Sequence, residues 1–476
     1  MGTCHAKKVL ARGQANERMF EVINPDAAGI DVGASEMWVC VPGENEQERV
    51  RKFGTDTMEL EAIATWLLRR GVKTVSMEST GVYWIPLFQI LENHGLEACL
   101  VNARHVKNVP GRRKTDRLDC RWLQKLHACG LLSASFRPPP EICRLRTCLR
   151  HRTTLVQEQA AQIQRMQKAM REMNVQLDAA VSDVTGVSGM RIMDAIIGGE
   201  HDPATLARMA DPRVRKSPEQ IARCLQGDYR PEHLFVLRQA LAAYRFFLQQ
   251  IQDCDGEVER YTGELEAAAG RADTALPAAA AETRKRKKGN VPEYDVQTHL
   301  YRLVGVDLTR IPGIGELTAQ GLISETGLDM SRWQTPKHFA SWLDLCPSPK
   351  VSGGRVIGQG RRHASNRAAQ MFRQAASSLS NSQSWLGSFY RRMRVRIGAA
   401  PAVKATAHKL ALIYYHVLST HTEYRQIEAQ QYDQRLRERT IRNLQRRARQ
   451  LGMDLVPIEA STEAATTASS EAIPVT

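Results

Sequence analysis

Between residues 27 and 135, short apolar runs alternate with stretches of helical periodicity. GIDVGASEMWVCVP reads as two strands joined by a tight, glycine-containing turn. MELEAIATWLLRRG is an amphipathic helix, with Leu60, Ile63, Leu67 and Leu68 on one side. VKTVSME has the pattern of a buried strand, VYWIPLFQILENHG that of a helix ending at a glycine, and LEACLVN that of another strand. TDRLDCRWLQKLHACG is a helix that opens with acids, as the helix dipole favours. This alternation predicts a mixed sheet covered by helices, an α/β unit.

Further on the period changes. Ile142, Leu149, Val156, Ile163, Met170 and Leu177 recur every seven residues, with Leu145, Met166 and Met173 between them and Arg152 and Gln159 as interruptions. Leu237, Tyr244, Ile251, Val258 and Leu265 form a second such row, with Leu241 and Leu248 between. Each predicts a coiled-coil seam, formed within one chain or between two chains; two long helices of an ordinary bundle fit the same spacing. AAAGRADTALPAAAAETRKRKKGNVP then reads as a linker with a basic run. Residues 296 to about 425 predict a mostly helical domain. A helix dense in arginine follows, and the last stretch, PIEASTEAATTASSEAIPVT, has the composition of a disordered tail.

The chain has 476 residues and a net charge of +15. So large a basic excess points to a polyanionic partner, because phosphate neutralisation is the usual use of that many Lys and Arg side chains. No apolar run approaches the length of a membrane span, and the N-terminus lacks the apolar core of a secretory signal. The ten cysteines make no CxxC pair, which disfavours a zinc ribbon or a disulfide framework and fits a reducing cytoplasm. Cys120, Cys148 and Cys254 are expected to act as small apolar helix residues.

Against that basic background four acids stand out: Asp31, Glu78, Asp116 and Asp119. Asp31 ends an apolar strand beside Gly33, and Glu78 ends the strand VKTVSME. Asp116 and Asp119 are three apart on one helix and therefore share a face. Hard divalent cations such as Mg²⁺ take carboxylates plus substrate phosphates, so acids carried on separate elements that converge would suit such an ion. Singly, each has a plainer reading: Asp116 as a helix N-terminal acid, Asp119 as a partner of Arg112 or Arg113, Glu78 as a surface acid. Together, acid on a first strand, acid on a later strand and acids on a following helix form the layout of ribonuclease-H-like nucleases.

Two features lie in the C-terminal domain. Ile311-Pro312-Gly313-Ile314-Gly315 leads into a helix and resembles the turn of helix-hairpin-helix modules, which offers backbone N–H groups to a phosphate. In CPSPKVSGGRVIGQGRRHASNRAA, Ser352 precedes two glycines, and Arg355, Arg361 and Arg362 could hold a phosphate beside its hydroxyl. A serine that attacks phosphorus keeps the bond energy as a phosphoester, so strand exchange needs no external energy source. Ser348 and Ser365 are competitors, and a Ser-Gly-Gly run alone is usually only a loop.

GIDVG, MESTGVYW, LVNARHVKNVPGRRKTDRLDCRWL, IPGIG and WLDLCPSPKVSGGRVIGQGRRHASNRAA together resemble the DEDD-type transposases of the IS110 insertion-sequence family, from about residue 27 to about residue 425. The resemblance implies a RuvC-like domain over 27–137, a coiled-coil region over 138–269, a basic linker over 270–295 and a C-terminal transposase domain over 296–425. An N-terminal extension (1–26) and an arginine-rich helix with a tail (426–476) flank them. It implies that Asp31, Glu78, Asp116 and Asp119 bind Mg²⁺ and that Ser352 is the nucleophile. Arg112, Arg113, Lys114, Gly313, Gly315, Arg355, Arg361, Arg362 and Arg367 are then expected to contact nucleic acid. The family further implies element-end and target DNA, a structured guide (bridge) RNA, a homotetramer in which acids of one subunit meet the serine of another, and a cytoplasmic, nucleoid-associated location with no membrane partner. The basic linker and the arginine-rich tail depart from the family pattern. Two other readings stand beside this one: a RuvC-like Mg²⁺-dependent nuclease in which water attacks, and a non-catalytic nucleic-acid-binding assembly protein.

Overall fold

The computed structural model describes residues 21–79, 81–102, 115–271, 275–276, 291–347, 349–359, 366–426 and 429–456. Arg112, Arg113, Lys114, Ser348, Arg361, Arg362, Ser365, the basic run of the linker and the C-terminal tail lie outside the described residues. The chain divides into two compact units, Met1–Arg137 and Pro138–Thr476.

In the first unit the strands β1 (Ala27–Val32), β2 (Met37–Cys40), β3 (Val50–Phe53), β4 (Thr74–Glu78) and β5 (Glu97–Val101) form one sheet in the order β3-β2-β1-β4-β5. β1 to β3 are antiparallel, whereas β4 and β5 run parallel to β1. This is the mixed sheet of a ribonuclease-H-like domain. Two helices, α1 (Thr57–Arg69) and α2 (Trp84–Asn93), cover one face. There Ile30, Val39, Val75 and Met77 pack against Ile63, Leu67, Leu87 and Leu91. Leu68, placed on the buried side by periodicity, is 45% exposed, and Ala64 is buried instead. The apolar face of α1 is narrower than its leucines suggest.

A third helix, α3 (Asp116–Ala128), covers the opposite face. It begins at Thr115, whose Oγ1 accepts a hydrogen bond from Leu118 N at 3.4 Å. Gly29 permits its close approach: a Cβ there would lie under 3.0 Å from the backbone of Cys120 and Gln124. Buried polar contacts lock the helix down. Gln124 Nε2 donates to Ala27 O at 3.1 Å, and Ser76 Oγ donates at 3.3 Å to Leu123 O or Ala28 O.

The second unit is built on two long helices, α4 (Pro140–Glu172) and α5 (Pro231–Ala268), which form an antiparallel hairpin within the chain. The heptad reading is right in period and shifted in face. The buried row is Leu145, Arg152, Gln159, Met166 and Met173, accompanied by Leu155, Gln162 and Ala169, while Leu149, Val156 and Ile163 are only half-buried. The residues that interrupt the sequence pattern therefore lie inside the seam. Arg152 enters it because the buried Asp255 accepts from both its Nε and its Nη2. The helix ends at Glu172, so Leu177 belongs to a separate turn. Between the two helices in sequence, short helices pack Ile192, Ile196, Leu206 and Ile221 into one apolar core with Met166, Met170, Leu237 and Leu241 of the long pair.

Beyond them, α6 (Val296–Val304), α7 (Glu316–Thr326), α8 (Pro336–Trp342), α9 (Arg367–Ser378), α10 (Trp385–Ile397) and α11 (Ala399–Thr420) enclose an aromatic core. Phe339, Phe372 and Tyr414 meet there at 5.4 to 6.4 Å between ring centroids. The buried Tyr414 hydroxyl is satisfied by Thr326 Oγ1 at 3.0 Å. A two-stranded hairpin, β6 (Pro349–Ser352) and β7 (Arg355–Gln359), departs from helix in a way that periodicity did not foresee. The exposed helix α12 (Ala429–Gln450) follows α11.

Candidate active site

Strand alternation decides where the first two acids face. On β1 and β4, Ala28, Ile30, Val75 and Met77 point into the core beneath α1 and α2. Gly29 and Ser76 point to α3, and so Asp31 and Glu78, two residues further along each strand, do as well. Both are half-buried. The parallel register pairs Gly29 with Ser76 and Ile30 with Met77. One step further sets Asp31 level with Glu78 at the C-terminal ends of the two strands, where neighbouring strands lie about 4.8 Å apart.

The line of α3 brings the other two acids to the same end. His127 Nε2 bonds Thr74 Oγ1 at 2.9 Å, and one helical turn earlier Leu123 O accepts from Ser76 Oγ at 3.3 Å. Two strand residues span about 6.6 Å and four helical residues about 6 Å, so the next step puts Asp119 level with Glu78. On the neighbouring strand Gly29 meets Cys120 and Gln124, which sets Asp31 beside the first turn of α3, where Asp116 and Asp119 lie. The Cys120 thiol reports the proximity: its hydrogen bond with Cys40 and its burial push its pKa far up, and the Asp31 carboxylate adds to the rise. Asp116 is exposed and Asp119 half-buried, with one carboxylate oxygen sealed from solvent.

The fold thus gathers four carboxylates at one end and one face of a sheet. This all-oxygen donor set suits a hard divalent cation such as Mg²⁺. Among the described residues, no three His, Cys, Asp or Glu side chains converge closely enough to hold a metal ion. Placement of the acids is therefore complete at the level of the backbone and not at the level of a closed ligand set.

In the second unit Ser352 closes β6 and pairs directly with Arg355 on β7. Gly353 and Gly354 make the two-residue turn between them, both left-handed with φ of +55° and +75°. Such a turn matches the twist of paired strands and requires residues that tolerate positive φ at both positions. Ser352 and Arg355 are both exposed, so the hydroxyl and the guanidinium are offered to solvent from one tight hairpin. Periodicity missed the hairpin because its strands are only 4 and 5 residues long; the Gly-Gly pair between them is the signal that finds it.

The two glycines of the helix-hairpin-helix-like turn have different work. Gly313 has φ +88°, and a Cβ on it would lie 2.8 Å from Ala375 O, so it serves packing against α9. Gly315 is the N-cap of α7, with open space where a side chain would be, and no side chain caps the helix. Arg367 is exposed in the first turn of α9. No helix among the described residues is long and apolar enough to cross a membrane.

Residues 28–175 match the family model of a DEDD transposase of the IS110 type. Residues 307–391 match that of the IS116/IS110/IS902 transposase family. The first match spans all four acids, and the second spans the glycine turn and the Ser352 hairpin. No curated protein matches the chain.

Proposed function

Since this chain belongs to the IS110 family of insertion-sequence transposases, and is accordingly an enzyme that acts on DNA, we propose that it exchanges DNA strands through Ser352. The observation that carries the proposal is the hairpin that presents the Ser352 hydroxyl and Arg355 together on an exposed two-residue turn. Ser352 Oγ attacks the scissile phosphorus. An O–P bond to serine forms, a bond from phosphorus to a deoxyribose oxygen breaks, and the serine proton ends on the departing oxygen. Arg355 holds the non-bridging phosphate oxygens through charge-assisted hydrogen bonds. The phosphoserine ester retains the energy of the broken bond, so a second DNA hydroxyl can displace the serine and complete the exchange.

Asp31, Glu78, Asp116 and Asp119 would hold Mg²⁺. Bound there, the cation would neutralise charge that builds on the phosphate oxygens in the transition state. Four neighbouring carboxylates repel one another, and a cation between them is what draws such side chains together. The family resemblance adds a guide RNA and a homotetramer. RNA sequencing of the purified protein and its mass in solution test these.

Wild-type protein incubated with a nicked, trapped DNA substrate and Mg²⁺ is expected to leave a covalent adduct on a denaturing gel. Ser352→Ala is expected to lose the adduct and strand exchange while retaining DNA binding. An adduct that survives in Ser352→Ala removes the serine from the chemistry. Asp31→Asn, or chelation of Mg²⁺, is expected to abolish cleavage; undiminished cleavage in either case removes the acids from it. A second reading, a nuclease in which water attacks, is favoured by the acids lying together on a ribonuclease-H-like sheet that needs no serine. It predicts Mg²⁺-dependent cleavage with no adduct.

A further inference from the structure

α12 lies beyond both family matches, the second of which stops at residue 391. Its sequence AQQYDQRLRERTIRNLQRRARQ carries seven arginines against two carboxylates, Asp433 and Glu438. The arginines are not scattered. At 100° per residue, Arg435, Arg439, Arg442, Arg446 and Arg449 fall within an arc of about 80°, a single stripe about 21 Å long. All five are exposed. Glu438 reaches Arg442 at 4.0 Å and Asp454 reaches Arg449 at 3.7 Å, both on the exposed surface, and among the described residues Arg435, Arg439 and Arg446 form no ion pair. Like charges at this spacing destabilise a helix, and a linear polyanion laid along it removes the repulsion.

The helix is presented rather than loose. Near its start, the Tyr432 ring packs at a tilt against Trp385 with centroids 5.2 Å apart, and its hydroxyl accepts from Arg392 Nη2 at 2.8 Å. Asp433 Oδ2 accepts from Ser388 Oγ at 3.3 Å. α10 therefore anchors the first turn of α12.

We propose that this stripe is a sequence-independent clamp on the phosphate backbone of duplex DNA, distinct from the Ser352 hairpin. The proposal rests on the reading of the chain as a DNA-acting transposase. A helix about 10–12 Å across fits the major groove of B-form DNA, about 12 Å wide, whereas the deep, narrow major groove of A-form RNA does not admit one. A membrane surface fits poorly, because Arg437 and Arg447 lie among Ile441 and Leu444 on the far side and break the apolar face a bilayer requires.

The test compares two pairs of substitutions that remove the same charge from the full-length protein. Glutamine preserves helix propensity, and circular dichroism checks that the helix persists. Binding of a duplex DNA of arbitrary sequence is measured against salt concentration. Arg439→Gln with Arg446→Gln, on the stripe, should reduce the slope of log K against log salt by about 2. Arg437→Gln with Arg447→Gln, off the stripe, should change it by well under 1. Equal effects of the two pairs would overturn the clamp. So would an effect confined to a structured RNA, or a fall in oligomer mass without loss of DNA affinity. The measurement involves no strand cleavage, so a failure of the Ser352 chemistry and a failure of the clamp give different results.

Discussion

Gly29 admits α3 to the sheet, and that contact sets the position of Asp116 and Asp119 relative to Asp31. An added methyl group would meet the helix backbone rather than a movable side chain. Overpacking of this kind costs about 1–3 kcal/mol, and Gly29→Ala is expected near the upper end, read as a fall in the denaturant midpoint of the N-terminal unit. His127 makes the opposite kind of contribution. Burial pushes its pKa below the ordinary histidine value of about 6.5, and it bonds Thr74 while neutral. Below that value the unfolded chain takes up a proton that the folded one resists, so stability is present above about pH 6.5 and falls as the pH drops through that window. Equilibrium unfolding of the N-terminal unit from pH 7 to pH 5 should show this loss, and His127→Gln should flatten it. The four acids were legible in the sequence because each ends or begins a recognisable element. Their common face became legible only through the alternation of strands whose register the fold supplies.

At the scale of elements, the long hairpin shows where pattern reading misleads. Arg152 and Gln159 look like faults in a heptad repeat, yet they sit in its buried row. A hydrophobic count cannot anticipate a charge neutralised by a partner some hundred residues away. Removing one half of a buried pair leaves the other uncompensated, so Asp255→Ala should cost about 3–5 kcal/mol by chemical denaturation. Replacing Arg152 and Asp255 together with Met and Leu should cost far less, because no charge is then stranded in the seam. The Ser352 hairpin depends on its turn in a comparable way. Gly354 sits at φ +75°, where a β-branched residue is strained by roughly 1–2 kcal/mol. Gly354→Val should therefore lower the yield of covalent adduct about tenfold, whereas Gly354→Asn, which tolerates a left-handed backbone, should lose much less.

At the scale of the molecule, two units with separate cores predict separate unfolding. Residues 21–137 and 138–456 produced alone should each unfold cooperatively, and calorimetry of the whole chain should resolve two transitions. A single transition for the whole chain, with neither piece folding alone, would contradict that division. The basic excess, the alternation of strands and helices, the heptad period, the order of the acids and the serine before two glycines were all determined by the sequence itself. Each is a local property, written in spacing and charge along a few neighbouring residues. The tertiary structure alone decided that the long helices pair within one chain, that the seam buries Arg152, that Asp31 and Glu78 share the face of α3, and that Ser352 stands on a hairpin. Those outcomes depend on which distant residues meet, and contacts of that kind are settled by packing and by the satisfaction of buried charges rather than by local pattern.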